Sequence, residues 1–327
     1  MTDTAEFAKL TDPLRGELLA HCYRMLGSVH DAEDQVQETL LKAWRAYGDF
    51  EGRASLRTWL YKIATNTCLR ALENRGRRPL PSGIGAPGAD PEGPLAAPQG
   101  DVPWLEPMPD ALVRADPANP ASVVASRTGL RLALIAALQY LPARQRAVLI
   151  LRDVLQWRAS EVADLLGTTP TAVNGLLLRA RARIEQAGLE QDEIREPADA
   201  SQRALLDKFA AAFQAADVPA LSRLLAEDAT FEMPPIPTWF AGRDQVSRFL
   251  GAVPLRQPGA FTMVPVAANG QPGFACYLHG QAHAIQVLTV TGARIAHIVT
   301  FQDPGLFPAF GLPSVPPGAA GTAGPRP

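Results

Sequence analysis

The sequence predicts a multidomain chain: two all-α blocks, a proline-rich segment between them, and an α+β domain after the second. Three observations predict it. Apolar residues recur at helical spacing in residues 10–78 and again in 121–188. Residues 79–120 hold eleven prolines, too many for a packed element. Beyond Asp228 the character changes to β-rich runs separated by the hairpin signals Asn269-Gly270 and Thr291-Gly292. The 327 residues suffice for two or three packed units.

Each element follows from its own pattern. From Asp31 to Tyr47 the apolar positions Val36, Leu40, Ala43, Trp44 and Tyr47 form one helical face. From Ser55 to Arg75, Leu56, Leu60, Ile63, Ala64, Thr67 and Ala71 form a second. Helices are expected at Leu130–Leu141, at Arg144–Val154 after Pro142, and in two short pieces around Gly167. After a polar joint at 189–200, Ser201–Ala215 and Pro219–Ala226 read as helices. Strands are expected at Phe261–Ala267, Phe274–Leu278, Ala284–Thr291 and Arg294–Phe301. The domain boundaries expected are 1–78, a linker at 79–120, 121–190, 201–311, and a disordered Pro/Gly/Ala tail at 312–327.

Charge is informative only by region. The totals, 31 Lys+Arg against 33 Asp+Glu, point to no partner, but residues 121–188 hold nine Arg against four acids. Residues 79–120 reverse this, with six acids against one Arg. Cys22, Cys68 and Cys276 fit no metal-ligand spacing and read as buried free thiols of a reducing cytoplasm. The N-terminus lacks the basic-then-apolar order of a signal peptide, and no apolar run reaches the ~18 residues of a membrane span. A soluble cytoplasmic protein is expected, with no metal and no cofactor.

The segment Asp31-Ala-Glu-Asp-Gln-Val-Gln-Glu-Thr-Leu-Leu-Lys-Ala-Trp44 resembles region two of the bacterial sigma-70 superfamily, in its small extracytoplasmic-function branch. Its acids also suit the positive end of a helix dipole. The resemblance implies that Asp31, Glu33, Asp34, Gln37 and Glu38 dock on the clamp helices of the largest catalytic subunit of RNA polymerase. The stretch Phe50-Glu-Gly-Arg-Ala-Ser-Leu-Arg-Thr-Trp-Leu-Tyr-Lys-Ile-Ala-Thr-Asn66 resembles the promoter-melting loop and the helix after it. On an ideal helix Lys62, Asn66, Arg70 and Arg77 lie within ~80° of one another. A basic ridge of this kind, ending in Arg75, Arg77 and Arg78, suits phosphates with one amide placed to read a base. By resemblance, Phe50, Ile63 and Asn66 line a pocket for an unstacked minus-ten base. Phe50 and Ile63 also read as core residues, and Trp59 reads equally as core packing or as a strand-separating wedge.

The linker resembles the family's connection that threads toward the polymerase active site. Asp90, Glu92, Asp101, Glu106, Asp110 and Asp116 supply acidic charge for that role, or for an extended spacer. Leu141-Pro-Ala-Arg-Gln-Arg-Ala-Val-Leu149 opens a stretch resembling region four. There Ala163, Gly167 and Val173 stand at helix-turn-helix offsets, and Thr169-Pro170 starts the reading helix. Its outward face is Thr171, Asn174, Gly175, Leu178 and Ala182, flanked by Arg179, Arg181 and Arg183. Asn174 suits adenine and Leu178 a thymine methyl in a minus-thirty-five element; Leu178 equally suits packing on another domain.

Residues 201–311 resemble the SnoaL-like cone fold, on Phe213-Gln-Ala-Ala-Asp-Val-Pro-Ala-Leu, Asp228-Ala-Thr-Phe-Glu-Met-Pro-Pro and Trp239-Phe-Ala-Gly-Arg. The fold class is then two sigma-type helical domains followed by an α+β cone. The resemblance implies regulation in cis by the cone. Phe231, Trp239, Phe240 and Phe249 are candidates to line a pocket for a small apolar ligand, or to form plain core. Asp228, Glu232, His279, His283 and His297 are the ionisable candidates there, and no spacing brings a pair together for catalysis. The expected function is transcription initiation with core polymerase on promoter DNA. The alternatives are a polymerase-independent, ligand-responsive DNA-binding regulator and a bifunctional protein with a catalytic cone.

Overall fold

The computed structural model describes residues 4–52, 54–73, 75–113, 130–186 and 200–317; the polar joint and the end of the tail lie outside them. The chain forms two units, Met1–Arg78 with Asp110–Glu193, and Pro79–Pro109 with Ile194–Pro327.

The first unit begins with α1 (Thr4–Thr11), α2 (Arg15–Leu26), α3 (Val29–Ala46) and α4 (Leu56–Leu72). Helix α2 is the central one, buried continuously from Leu18 to Leu26. It ends at Gly27 with φ of 71°, a left-handed stop suited to glycine. Ser28 restarts the chain at once: its Oγ accepts from the Asp31 amide at 3.1 Å and caps α3. Ser55 caps α4 in the same way, accepting from Thr58 N at 3.1 Å. Inside this core, His21 and Thr65 share a hydrogen bond of 2.9 Å between α2 and α4. Burial, helped by the neighbouring Arg24 charge, lowers the His21 pKa to about 3.

The same unit continues with α5 (Leu132–Gln139), α6 (Ala143–Leu149), a π-turn at Ile150–Val154, α7 (Ala159–Leu166) and α8 (Pro170–Gln186). Gly167, with φ of 61°, stops α7. Thr169 Oγ1 accepts from Ala172 N at 3.2 Å, and Pro170 opens α8. Ala163, Val173, Leu177 and Ala180 are buried, which closes the helix-turn-helix. At 17 residues, α8 is longer than the short helix expected.

The two helical blocks are joined by Arg146, only 4 % exposed. Its guanidinium donates to Met25 O at the end of α2, to Gln139 Oε1 at 2.9 Å, and to the Gln139 and Leu141 carbonyls at 3.2 Å. A cation at the carboxyl end of α2 also meets the favourable pole of its dipole. Burial lowers the Arg146 pKa to about 10. Blocks that the sequence presents as separate domains therefore share one interior.

The second unit holds α9 (Ala200–Gln214), α10 (Val218–Leu224), β1 (Leu225–Met233), β2 (Ile236–Ala241), α11 (Arg243–Ala252), β3 (Phe261–Ala268), β4 (Gln271–Leu278), β5 (Gln281–Thr291) and β6 (Arg294–Phe301). The sheet order is β2-β1-β6-β5-β4-β3. Only the β1–β6 pairing is parallel among the described strands. Asn269 and Gly270 both take positive φ at the β3–β4 turn, as a type I′ hairpin requires. Phe209, Phe213, Phe231, Phe249 and Phe274 fill the core on the helix-covered face.

The proline-rich segment departs from the expected unstructured linker: residues 79–109 lie as a strap along this unit. Gly88 N donates to Trp239 O at 2.7 Å and Gln99 N to Pro235 O at 2.9 Å, so the strap follows β2 and its approach. Asn269 and Met108 exchange two bonds, of 2.8 and 2.9 Å. Glu92 pairs with Arg248 at 2.9 Å. Leu80, Trp104, Leu105 and Met108 are buried and supply the apolar area that fixes a chain rich in proline. The start of the expected tail is packed too, with Ala282 N donating to Ser314 O at 2.8 Å.

Candidate nucleic-acid interface

Helix α4 presents Lys62, Asn66 and Arg70 as an exposed ridge, one residue per turn. On one side lies a cleft of about 270 Å³ lined by Lys42, Ala46, Trp59, Ile63, Asn66, Thr67 and Arg70. On the other lies a cleft of about 380 Å³ lined by Asn66, Leu69, Arg70, Glu73 and Arg144. Ile63 and Asn66 thus meet as the sequence suggests, and Trp59 joins them. Phe50 does not line the cleft; it packs on Trp59 at 4.8 Å and stacks on Tyr47 at 6.1 Å. Trp59 therefore serves the aromatic cluster and the cleft together. Lys42 and Arg144 were not singled out from sequence, because each comes from a different element and only folding brings it to α4.

The arginines after α4 do not extend the ridge, because the helix ends at Leu72. Arg77 lies over the Tyr140 ring at 4.8 Å. Arg78 and Arg75 both reach Asp31 Oδ2 at 2.5 Å. Burial raises the Asp31 pKa, but the hydrogen bonds and charges of the two arginines outweigh it and hold the carboxyl below the usual range.

Helix α8 carries its face differently. Thr171, Asn174 and Ala182 are exposed and Gly175 is half-buried. Leu178 is 71 % exposed. Arg179 and Arg183 are exposed, whereas Arg181 donates two hydrogen bonds to Asp153, at 2.9 and 2.7 Å.

Residues 10–78 match the family described as Sigma-70 region 2, and residues 131–184 match Sigma-70, region 4. Residues 206–306 match the SnoaL-like domain. The chain is 49% identical over 314 residues to the ECF RNA polymerase sigma factor SigG of Mycobacterium tuberculosis, across 94% of this chain and 84% of that one. The chain belongs to the ECF RNA polymerase sigma factors. SigJ of the same organism is 29% identical over 90% of this chain and 91% of its own. The crystal structure of SigJ shares the fold, with a TM-score of 0.61 at 24% identity over 95% of this chain and 100% of that one.

On helix α3 of this sigma factor, Asp34 and Gln37 are exposed, Glu33 is half-buried, and Glu38 pairs with Lys42 at 2.9 Å. Asp31 stands apart, held by its arginines. Trp44, placed on the buried stripe by periodicity, is 44 % exposed, and Leu41 is 41 % exposed. With Gln37 they form one open face at helical spacing.

The sigma factor's cone sorts its ionisable residues by strand parity. Glu232 and His297 lie on the face of the sheet away from the helices and bond each other at 2.8 Å. Glu232, 2 % exposed, also accepts from Ser82 N of the strap at 2.8 Å. His279 and His283 line a cavity of about 380 Å³ on the opposite face. Phe231 and Phe249 line it as expected. Phe240 does not; it stacks behind Phe249 at 4.6 Å. Trp239 points away, its indole donating to Gly85 O of the strap at 2.9 Å. Among the described residues no group of His, Cys, Asp and Glu is placed to hold a metal ion, and no helix is long and apolar enough to cross a membrane.

Proposed function

We propose that this sigma factor binds core RNA polymerase through the α3 face, reads minus-ten DNA at α4 and minus-thirty-five DNA at α8, and promotes melting in the cytoplasm. The observation that carries this reading is the cleft at Trp59, Ile63 and Asn66, edged by the cations Lys42 and Arg70. It suits a flipped base: an aromatic to stack on, an amide to read it, and positive charge for the flanking phosphates. Glu33, Asp34, Gln37 and Glu38 are the docking residues in this reading, with Leu41 and Trp44 adding apolar contact. Asp31 organises Arg75 and Arg78 instead of docking. At α8, Asn174 and Leu178 read bases while Arg179 and Arg183 hold phosphates.

The cone regulates in cis by holding the strap, which runs between the helical blocks in sequence and cannot enter polymerase while bound to β2. The cone acts by binding, not by catalysis: Glu232 and His297 are hydrogen-bonded to each other beneath the strap, and no carboxylate is among the residues lining the cavity. Single-round transcription on a randomised promoter library, with core polymerase from the source bacterium, tests both parts. Transcripts dependent on the protein and lost in Asn66→Ala support the main reading; no such transcripts would sink it. Glu232→Ala, which removes the Ser82 bond, is expected to raise transcript yield. An unchanged yield with a released strap would sink regulation in cis.

A further inference from the structure

The cavity in the cone has one polar feature that its fold does not use. Gln286 lies in the middle of β5, between Phe274 on β4 and Thr300 on β6, and is 1 % exposed. Its amide nitrogen donates to Thr300 Oγ1 at 3.0 Å, and its Oε1 has no partner. An amide exchanged end for end would leave the nitrogen bare in place of the oxygen, so one half of the group is unpaired in either orientation, on a residue that lines the cavity. A buried amide left half-satisfied weakens a core, and its neighbours on the same face of β5, Ala284 and Leu288, show what packing alone selects there.

The rest of the wall defines what would pair with it. Phe213, Phe231, Met233, Phe249, Phe261 and Leu278 make it mainly apolar. Burial lowers the pKa of His283, which disfavours its charged form. Arg256 is exposed, and its Nε is committed to Ala252 O. With no carboxylate among the lining residues, nothing in the wall balances a cation. The volume of about 380 Å³ falls at the small end of the range for ligand sites, roughly 300–1,000 Å³. Leu95 of the strap closes part of the wall.

We infer that the cone binds a small uncharged compound with an apolar ring skeleton and one hydroxyl group, which pairs with the Gln286 amide while Leu95 of the strap seals the ring in. This rests on the reading of the cone as a regulatory binding domain and supplies the class of its ligand. A hydroxyl both donates and accepts, so it satisfies the amide in either orientation.

The test titrates the full-length protein with 2-naphthol and with naphthalene, which share a skeleton and differ by the hydroxyl. 2-Naphthol is expected to bind saturably and ~10-fold more tightly, the scale of one buried neutral hydrogen bond. Gln286→Leu should bring the preference to about one, and Leu95→Ala should weaken both compounds. In the unsubstituted protein, the Gln286 side-chain amide signals in a nitrogen-15 spectrum should move with 2-naphthol and not with naphthalene. That measurement decides the matter if Gln286→Leu does not fold. No binding of either compound, equal binding of both, a preference retained in Gln286→Leu, or still amide signals would overturn the assignment. Undiminished affinity in Leu95→Ala would overturn the part given to the strap. Polymerase and DNA are absent, so failure here leaves the promoter reading standing, and loss of transcription leaves binding intact.

Discussion

Helices α4 and α8 are both 17 residues long, both expected on DNA, and built in opposite ways. Helix α4 rises beside two clefts and backs onto the most buried helix of the unit. Helix α8 buries one edge through Val173, Leu177 and Ala180 and leaves an open face whose largest side chain is an exposed leucine. The first arrangement suits a base removed from its stack and held in a recess; the second suits the intact surface of a duplex. Their arginines teach a related lesson. Arg75, Arg78 and Arg181 each face a carboxylate of the protein itself, so counting positive charge along a helix overstates what is left for phosphate.

Four expectations, tested by five substitutions, would break or sharpen this contrast. The largest effect is expected at Arg146, which joins the block holding α4 to the block holding α8. Arg146→Ala leaves buried carbonyls unpaired and should cost about 3–5 kcal/mol in the unfolding free energy of that unit, read by denaturant titration. A loss under ~1 kcal/mol would mean the two helices do not depend on a common interior. Next, Asn66→Ala should weaken open-complex formation by about 1–3 kcal/mol, scored by permanganate footprinting, with duplex binding less affected. The same substitution at Asn174 should reverse that pattern, and identical patterns would erase the contrast.

The third expectation concerns pH and the inner side of α4. The folded pKa of His21, about 3, lies below its ordinary 6.5, so the unfolded chain takes up a proton that the folded chain refuses. This contribution is complete above pH 6.5 and declines as pH falls toward 3, by at most ~1.4 kcal/mol per pH unit. His21→Gln should flatten that slope in thermal melts across the window; an unaltered slope would refute the assignment. The smallest effect belongs to Arg181→Ala. Its pair with Asp153 is exposed, so stability should change by less than about 0.5 kcal/mol, and minus-thirty-five affinity should stay near that of the parent. A large loss of affinity would mean that Arg181 leaves Asp153 to meet DNA.

Much of this could be read in advance wherever the physical rule is local. Gly167 and Thr169-Pro170 announce the turn and start of α8 because a left-handed stop and an N-cap are properties of single residues. Asn269-Gly270 announces its hairpin for the same reason. Strands β1 and β2 were harder: prolines at 234, 235 and 237 interrupt the alternation, and β1 follows directly on α10. The strap was illegible because prolines mark a chain that cannot pair with itself, yet say nothing of a neighbour that can accept its remaining amides. Trp44 was misplaced because helical periodicity identifies a stripe but not its edge. Gln286 carried a usable signal, a lone amide within the apolar run Ala284–Leu288, that pattern-matching for acids and histidines passes over.

The strap has one more consequence, for the solution behaviour of any fragment. Strand β2 ends the sheet, and the strap's Gly88 amide already occupies its Trp239 carbonyl. A piece starting at residue 200 would bare that strand as a template for edge-to-edge pairing between molecules. A piece ending before it would leave Leu80, Trp104, Leu105 and Met108 without cover. Either cut leaves a fragment prone to aggregate, so the proline-rich segment and the cone are best expressed and studied as a single piece.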